Sequence, residues 1–242
     1  MKKEEFKSII NSHIKNFGYH VTTVAGKSAL PRYSYSIGLE YTLGFELVFA
    51  GGEIFKLKEV TEIMKNIIEQ LKINSDWTKM NFKSDDLKSY TLSKVNESWI
   101  SLMLDGIEDY YKGKKIIVLQ IVPDQNNKTL DVPDMSIEFN AEKNKIWQWL
   151  VNEWTYPIAE GTLVFTNSEA LFGKRITELM RWEEDEWEMF TDNSDEIDKA
   201  NIKAVPFGIL LGIDSTLKEA INVKEGKGLW REDDSLEWNP WG

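Results

Sequence analysis

The sequence predicts an α+β protein of two modules, each a mixed or antiparallel sheet with flanking helices. Three observations lead there. Helical and strand periodicities both occur, without the strict βαβ alternation of a parallel α/β fold. Charge is split unevenly: residues 155–242 hold 9 Lys and Arg against 19 Asp and Glu, whereas residues 1–154 hold 20 against 21. The dipeptide Tyr156-Pro157 sits at that step, which places the modules at residues 1–155 and 156–242.

Taken in order, Phe6, Ile9, Ile10, Ile14 and Phe17 recur at helical spacing across residues 3–17, and Gly18 supplies a stop. Tyr19–Val24 reads as a β-branched strand. Tyr33–Leu39 and Phe45–Ala50 read as two strands around a turn at Gly44, the second ended by Gly51-Gly52. Val60, Ile63, Met64, Ile67, Ile68 and Leu71 form one apolar stripe, so residues 55–71 are the clearest helix. Tyr90–Val95 and the region around Trp99–Leu102 look strand-like. A short helix is expected over Asp105–Tyr111, with Asp105 as its cap. The apolar run Lys115–Val122, closed by Pro123, fits a buried central strand. A polar loop follows at 124–135, and residues 145–154 read as a helix.

In the second module, Thr162–Thr166, Arg175–Trp182, Glu186–Phe190 and Ile202–Val205 read as strands. A short acidic helix is expected between the last two. Phe207–Ile213 and Thr216–Ile221 look helical, Lys227–Arg231 is a last strand, and the tail from Ser235 is irregular. No internal repeat is visible.

Composition narrows the function. With 42% hydrophobic and 12% aromatic residues the chain can bury a core. It has no cysteine, so disulfides, thiolate nucleophiles and Cys-ligated metal sites are excluded. The opening MKKEEFKSII lacks the apolar stretch of a signal peptide, and no apolar run is long enough for a bilayer. The expectation is a cytoplasmic protein. An acidic final third attracts basic proteins and repels nucleic acid and anionic membranes.

Two resemblances add to this. The segment Tyr33–Gly52, with Ser36, Ile37, Gly38, Leu39, Glu46, Leu47 and Gly51 in place, resembles the signature of the bacterial domain-of-unknown-function family 4262, with Phe45 where that family usually has Pro. VLQIVPD at 118–124 is similar to the family's second segment, without its usual Trp, and FGYHV at 17–21 fits its opening. Residues 175–195 and 206–233 resemble a small domain of polymorphic-toxin immunity proteins. Trp187, Phe190, Asp214, Gly226 and Trp230-Arg231 stand at the pattern positions. The first resemblance implies no activity; the second implies a protector that binds and blocks a toxin.

The candidate sites follow. The cluster Glu183, Glu184, Asp185 and Glu186, flanked by Trp182 and Trp187, reads as a hairpin tip offering an anionic patch with aromatic anchors. Further acidic groups lie at Asp192, Asp195, Glu196 and Asp198, and at Glu232, Asp233 and Asp234. The expected partner is a basic protein such as a toxin. A nuclease suits, because it must be basic where it grips phosphate. A different class of function, a small-molecule-binding protein or hydrolase-like enzyme, would use His20, Ser36, Gln120 and Asp124 in the first module. The only histidines, His13 and His20, lack metal-ligand spacing, no nucleophile elbow surrounds the serines, and Gly51-Gly52 lacks the rest of a phosphate loop. No metal or cofactor is expected.

Overall fold

A computed structural model of the chain describes residues 3–25, 28–84, 88–191 and 197–241. The architecture is α+β, with two six-stranded mixed sheets. The first half runs α1 (Lys3–Phe17), β1 (His20–Val24), β2 (Tyr33–Ile37), α2 (Glu40–Leu43), β3 (Glu46–Ala50), α3 (Leu57–Ile73), β4 (Phe82–Lys83), β5 (Ser89–Lys94), α4 (Glu97–Met103), α5 (Asp105–Tyr111) and β6 (Val118–Pro123). The second half runs β7 (Leu163–Asn167), α6 (Ser168–Leu171), β8 (Glu178–Glu183), β9 (Glu186–Phe190), β10 (Ile202–Pro206), α7 (Phe207–Ile213), β11 (Lys227–Trp230) and β12 (Asn239–Trp241).

The strand order is β1-β2-β3-β6-β5-β4 in one sheet and β10-β7-β9-β8-β11-β12 in the other. Each sheet is antiparallel except for one central parallel pair, β3 with β6 and β7 with β9. In the second, β7 leads through α6 into the β8–β9 hairpin, whose second arm returns parallel to it; in the first, β3 leads through α3, β4 and β5 to β6, with α4 and α5 between β5 and β6. The long β3–β6 connection carries α3, because a parallel return needs a crossover.

The first sheet is covered on both faces. The stripe Val60, Ile63, Met64, Ile67, Ile68 and Leu71 seats α3 against Leu47, Phe49, Leu119 and Ile121. Full burial of each such side chain stabilises by roughly 1.5–3 kcal/mol. The opposite face, with Tyr33, Tyr35, Val48 and Val118, packs on α1, α4 and α5. That same cluster continues through Trp147 into Val164, Leu179, Trp187, Met189 and Val205 of the second sheet and into α7. One apolar cluster therefore spans both sheets. Tyr156-Pro157 lies in the long connection between β6 and β7.

Three elements differ from the sequence expectation. Trp99–Leu102 is helical because the Asn96 Oδ1 accepts from the Ser98 backbone N–H at 3.0 Å and caps α4, while Trp99 is fully buried. Residues 145–154 form turns around a short 3-10 segment at Gln148–Leu150. Their indoles are fixed by carbonyls outside any helix: Trp147 donates to Asp131 O at 2.9 Å and Trp154 to Ile158 O at 2.7 Å. The tail supplies an edge strand, β12, paired to β11. Of the second acidic group, Asp192, Asp195 and Glu196 lie outside the described residues. No helix among the described residues is long and apolar enough to cross a membrane.

The halves approach closely at Gly208 of α7. A Cβ there would stand 2.4 Å from the Ala29 carbonyl oxygen and 2.8 Å from the Trp149 Nε1. Two outcomes are expected. Calorimetry should record one unfolding transition for the whole chain, and Gly208→Ala should lower its stability by about 1–3 kcal/mol, the usual cost of overpacking.

Candidate functional site

In the first module the structure gathers polar groups around Glu46, the first residue of β3 and wholly buried. Its Oε1 accepts from the backbone N–H of Gly38 at 2.8 Å and of Glu40 at 3.1 Å, and from the Tyr111 hydroxyl at 2.5 Å. Its Oε2 accepts from the Ser36 hydroxyl at 2.5 Å. The Ser36 oxygen in turn accepts from Leu47 N–H at 2.8 Å. Burial pushes the Glu46 carboxyl above its ordinary range, and the hydrogen bonds from Ser36, Tyr111, Glu40 and Gly38 pull the other way. Gly38 has φ +112° and lies against Ile14 of α1, leaving no room for a side chain. The residues that carry the family resemblance thus form one internal knot: Ser36, Gly38 and Glu46 close the turn between β2 and β3.

A second buried carboxylate network involves Glu53, Arg32 and Asp131. Glu53 Oε1 accepts from Arg32 N–H at 2.7 Å, and its Oε2 is 3.1 Å from the Arg32 guanidinium. The Glu53 N–H donates to Asp131 Oδ2 at 2.9 Å. Burial raises the pKa of both acids, and Arg32 partly offsets this at Glu53. Gly51 is held at φ +72°, with the Asp131 carbonyl where its Cβ would be. The Gly51-Gly52 turn therefore packs against protein backbone. These groups escaped the sequence reading, since Arg32 and Asp131 are distant in sequence. Their one visible signal is acidic residues beside the strand ELVFA and its glycines.

The four residues of the enzyme-like expectation have separate partners. His20 meets His13, with Nδ1 atoms 2.8 Å apart. Ser36 serves Glu46. Gln120 donates to Pro133 O at 2.8 Å and accepts from Met135 N–H at 3.2 Å, fastening the loop after β6. Asp124 accepts from Ser89 N–H at 2.8 Å and from the Asn127 side chain at 2.9 Å, closing the β5–β6 end. A surface groove of about 680 Å³ runs along α3, lined by Lys58, Glu62, Asn66 and Ile73, and none of the four reaches it. Among the described residues no group of three or more acidic or imidazole side chains is placed to hold a metal ion.

The second module presents the acidic residues as a hairpin tip. Glu184 and Asp185 form the two-residue turn between β8 and β9, and Glu183 stands opposite Glu186 beside a register shift. All four are exposed, as is Trp182 at 48%. Among the described residues none of the four carboxylates makes an ion pair. Arg181 braces the turn from within, donating to the Glu184 carbonyl at 3.2 Å and to Val223 O at 3.3 Å. Like charges directly across a hairpin are destabilising, so this tip carries a cost within the fold. Trp187 is a correction: it is fully buried, edge-on to Phe207 at 5.2 Å and covered by the Arg181 guanidinium. Strand alternation points it inward while Trp182 points out, so Trp187 supports the core and offers no anchor. Asp214 and Arg231 pair at 2.6 Å, Arg231 also donates to Ile176 O at 2.7 Å, and the pair secures β11 to the segment after α7.

Two outcomes follow from the first module. Glu46→Ala leaves the Glu40 N–H without its side-chain acceptor, strips the Gly38 N–H of one of its two acceptors and the Ser36 and Tyr111 hydroxyls of theirs, and should destabilise the fold by about 2–5 kcal/mol, read from urea unfolding. Glu46→Gln should cost less. Because the folded pKa of Glu46 is raised, its contribution is fully present below the unfolded value and lost as pH rises through the folded one. Wild type should therefore gain on the Gln variant as pH falls from 7 towards 4.5, and the opposite slope would refute the raised pKa. Second, burial lowers the pKa of His20, and His13 beside it lowers it further. An NMR titration should place the His20 midpoint below that of a free imidazole, moving upward in His13→Ala.

No curated protein and no solved structure matches the chain. Residues 13–129 match the model of a family described as a domain of unknown function (DUF4262), a span that holds the Glu46 knot and the first sheet and stops before the second. It is to this family that the N-terminal part of the chain is similar.

Proposed function

We propose that this chain is a cytoplasmic binding protein of the immunity or antitoxin kind, which blocks a basic protein by stoichiometric contact through its acidic C-terminal module. The observation that carries the reading is the β8–β9 tip: four exposed carboxylates without an ion pair among the described residues, beside an exposed indole. A cation brought to Glu183 and Glu186 relieves the repulsion between them, so part of the tip's cost is recovered on binding. Opposite-charge steering raises association towards ~10⁸–10⁹ M⁻¹s⁻¹ at low salt. The residues assigned to the contact are Trp182, Glu183, Glu184, Asp185 and Glu186. A nuclease fits the partner's chemistry, since phosphate-gripping surfaces are basic.

The enzyme-like reading has no observation in its favour: His20, Ser36, Gln120 and Asp124 each serve a different structural contact. The test is surface plasmon resonance against the product of the adjacent gene. Tight binding is expected, with an association rate that falls steeply with salt. Changing Glu183, Glu184 and Glu186 to Gln and Asp185 to Asn together should slow association about tenfold. Unchanged kinetics in that variant would sink the electrostatic mechanism.

A further inference from the structure

The two sheets differ in how they are covered. In the first, β2 and β3 are buried at every position and β6 at nearly every one. In the second, burial alternates along the first four residues of β7 and β9, beyond which the outward Asn167 and Phe190 are buried. Its inward residues, Val164, Leu179, Trp187, Met189 and Val205, join the shared cluster. Its outward face keeps exposed positions along β7, β11 and β12 and should there, on solvent grounds alone, be polar.

It is not. The pairing register aligns Ala204, Phe165, Glu188, Met180, Gly228 and Trp241 in one row across all six strands of that face. Leu163, Phe165, Trp230 and Trp241 on it keep 47, 43, 42 and 36% of their surface exposed. Met180 is buried yet lies outside the shared cluster, so it is covered from this side. The Trp241 indole lies flat over Gly228, where a Cβ would come within 2.4 Å of it. Every charged residue that strand alternation sets on this face is acidic: Glu178, Glu183, Glu186 and Glu188. Glu188 sits mid-row between Phe165 and Met180, half-buried.

We infer that this open face docks a basic amphipathic segment of another protein, with a partner Lys or Arg paired to Glu188 and partner apolar side chains laid on Leu163, Phe165 and Trp241. The inference deepens the proposed binding role and takes the partner's charge from it. Charge decides the occupant. A second copy of this chain would set Glu186 and Glu188 against acidic counterparts in a closing apolar contact. Nucleic acid would bring phosphates to the same carboxylates. A cation flanked by apolar groups satisfies both features of the row, and the low dielectric between Phe165 and Met180 strengthens its pairing.

The test uses the full chain and two synthetic helical peptides of equal apolar content, one leucine–lysine and one leucine–glutamate, with amide chemical shifts as the readout. The leucine–lysine peptide should bind saturably, shifting β7, β8 and β9, and the leucine–glutamate peptide should not bind. Glu188→Lys and Phe165→Ser should each weaken binding at least tenfold, with Glu188→Gln giving a smaller loss in a fold-neutral background. Glu142→Gln, at an exposed site in the connection between the sheets, should change it less than twofold. Shifts confined to the hairpin tip, no binding, equal binding of both peptides, or concentration-dependent dimerisation abolished by Phe165→Ser would each overturn the inference. The two readings fail separately. If the adjacent gene's product does not bind but the lysine peptide seats on the face, the immunity role falls and the face stands. If that product binds and Phe165→Ser leaves its affinity unchanged, the face alone falls.

Discussion

A single apolar cluster shared by two sheets is the constraint on which the molecule rests. It runs from Ile10 and Tyr35 in the first module through Trp147 to Trp187 and Leu210 in the second. Such a seam requires backbone to approach backbone, and glycine provides the room. Gly208 faces Ala29 and Gly212 faces Ile146, each at distances no Cβ can share. The connection from β6 to β7 is irregular for the same reason. Its tryptophans are spent on filling the seam and on satisfying the carbonyls of Asp131, Gly208 and Ile158, and a regular helix would have turned some of them away.

Buried carboxylates punctuate the first module, and their role is to hold turns. Glu46 gathers two backbone N–H groups and two hydroxyls, and Glu53 with Asp131 and Arg32 fixes the Gly51-Gly52 turn. An unpaired carboxylate at such depth would be very costly; several donors per carboxylate make the placement tolerable. This gives the family signature a physical meaning. In this chain Ser36, Gly38 and Glu46 act as a set, because the carboxylate binds the Ser36 hydroxyl and the Gly38 N–H together. A domain with no assigned activity can thus have a sharply defined sequence pattern.

The second module faces solvent differently. Its sheet gives one side to the seam and leaves the other with aromatic side chains and, among the described strand residues, only negative charge. The hairpin tip adds opposed carboxylates braced by Arg181 through backbone carbonyls, so their charge stays unneutralised. Exposed indole and phenyl rings lower solubility, and opposed like charges lower stability. The basic, apolar partner proposed above would lower both costs, at the tip and on the face.

Sequence alone determined the α+β class, α1 and α3, most strands, and the acidic second half, because these depend on local periodicity and on composition. Tertiary structure decided the rest. Trp99 lies in a run that reads as strand, and the Asn96 cap with a buried indole makes it helix. Trp182 and Trp187 flank the same acidic run and look equivalent along the chain; only the packing of the β8–β9 face against Phe207 tells which one is buried. The Glu46 knot joins residues 36, 38, 46 and 111, and the Arg32–Glu53–Asp131 network spans nearly a hundred positions. Such groupings arise from strand order and register, which set which distant residues meet, and no local pattern in the chain encodes that choice.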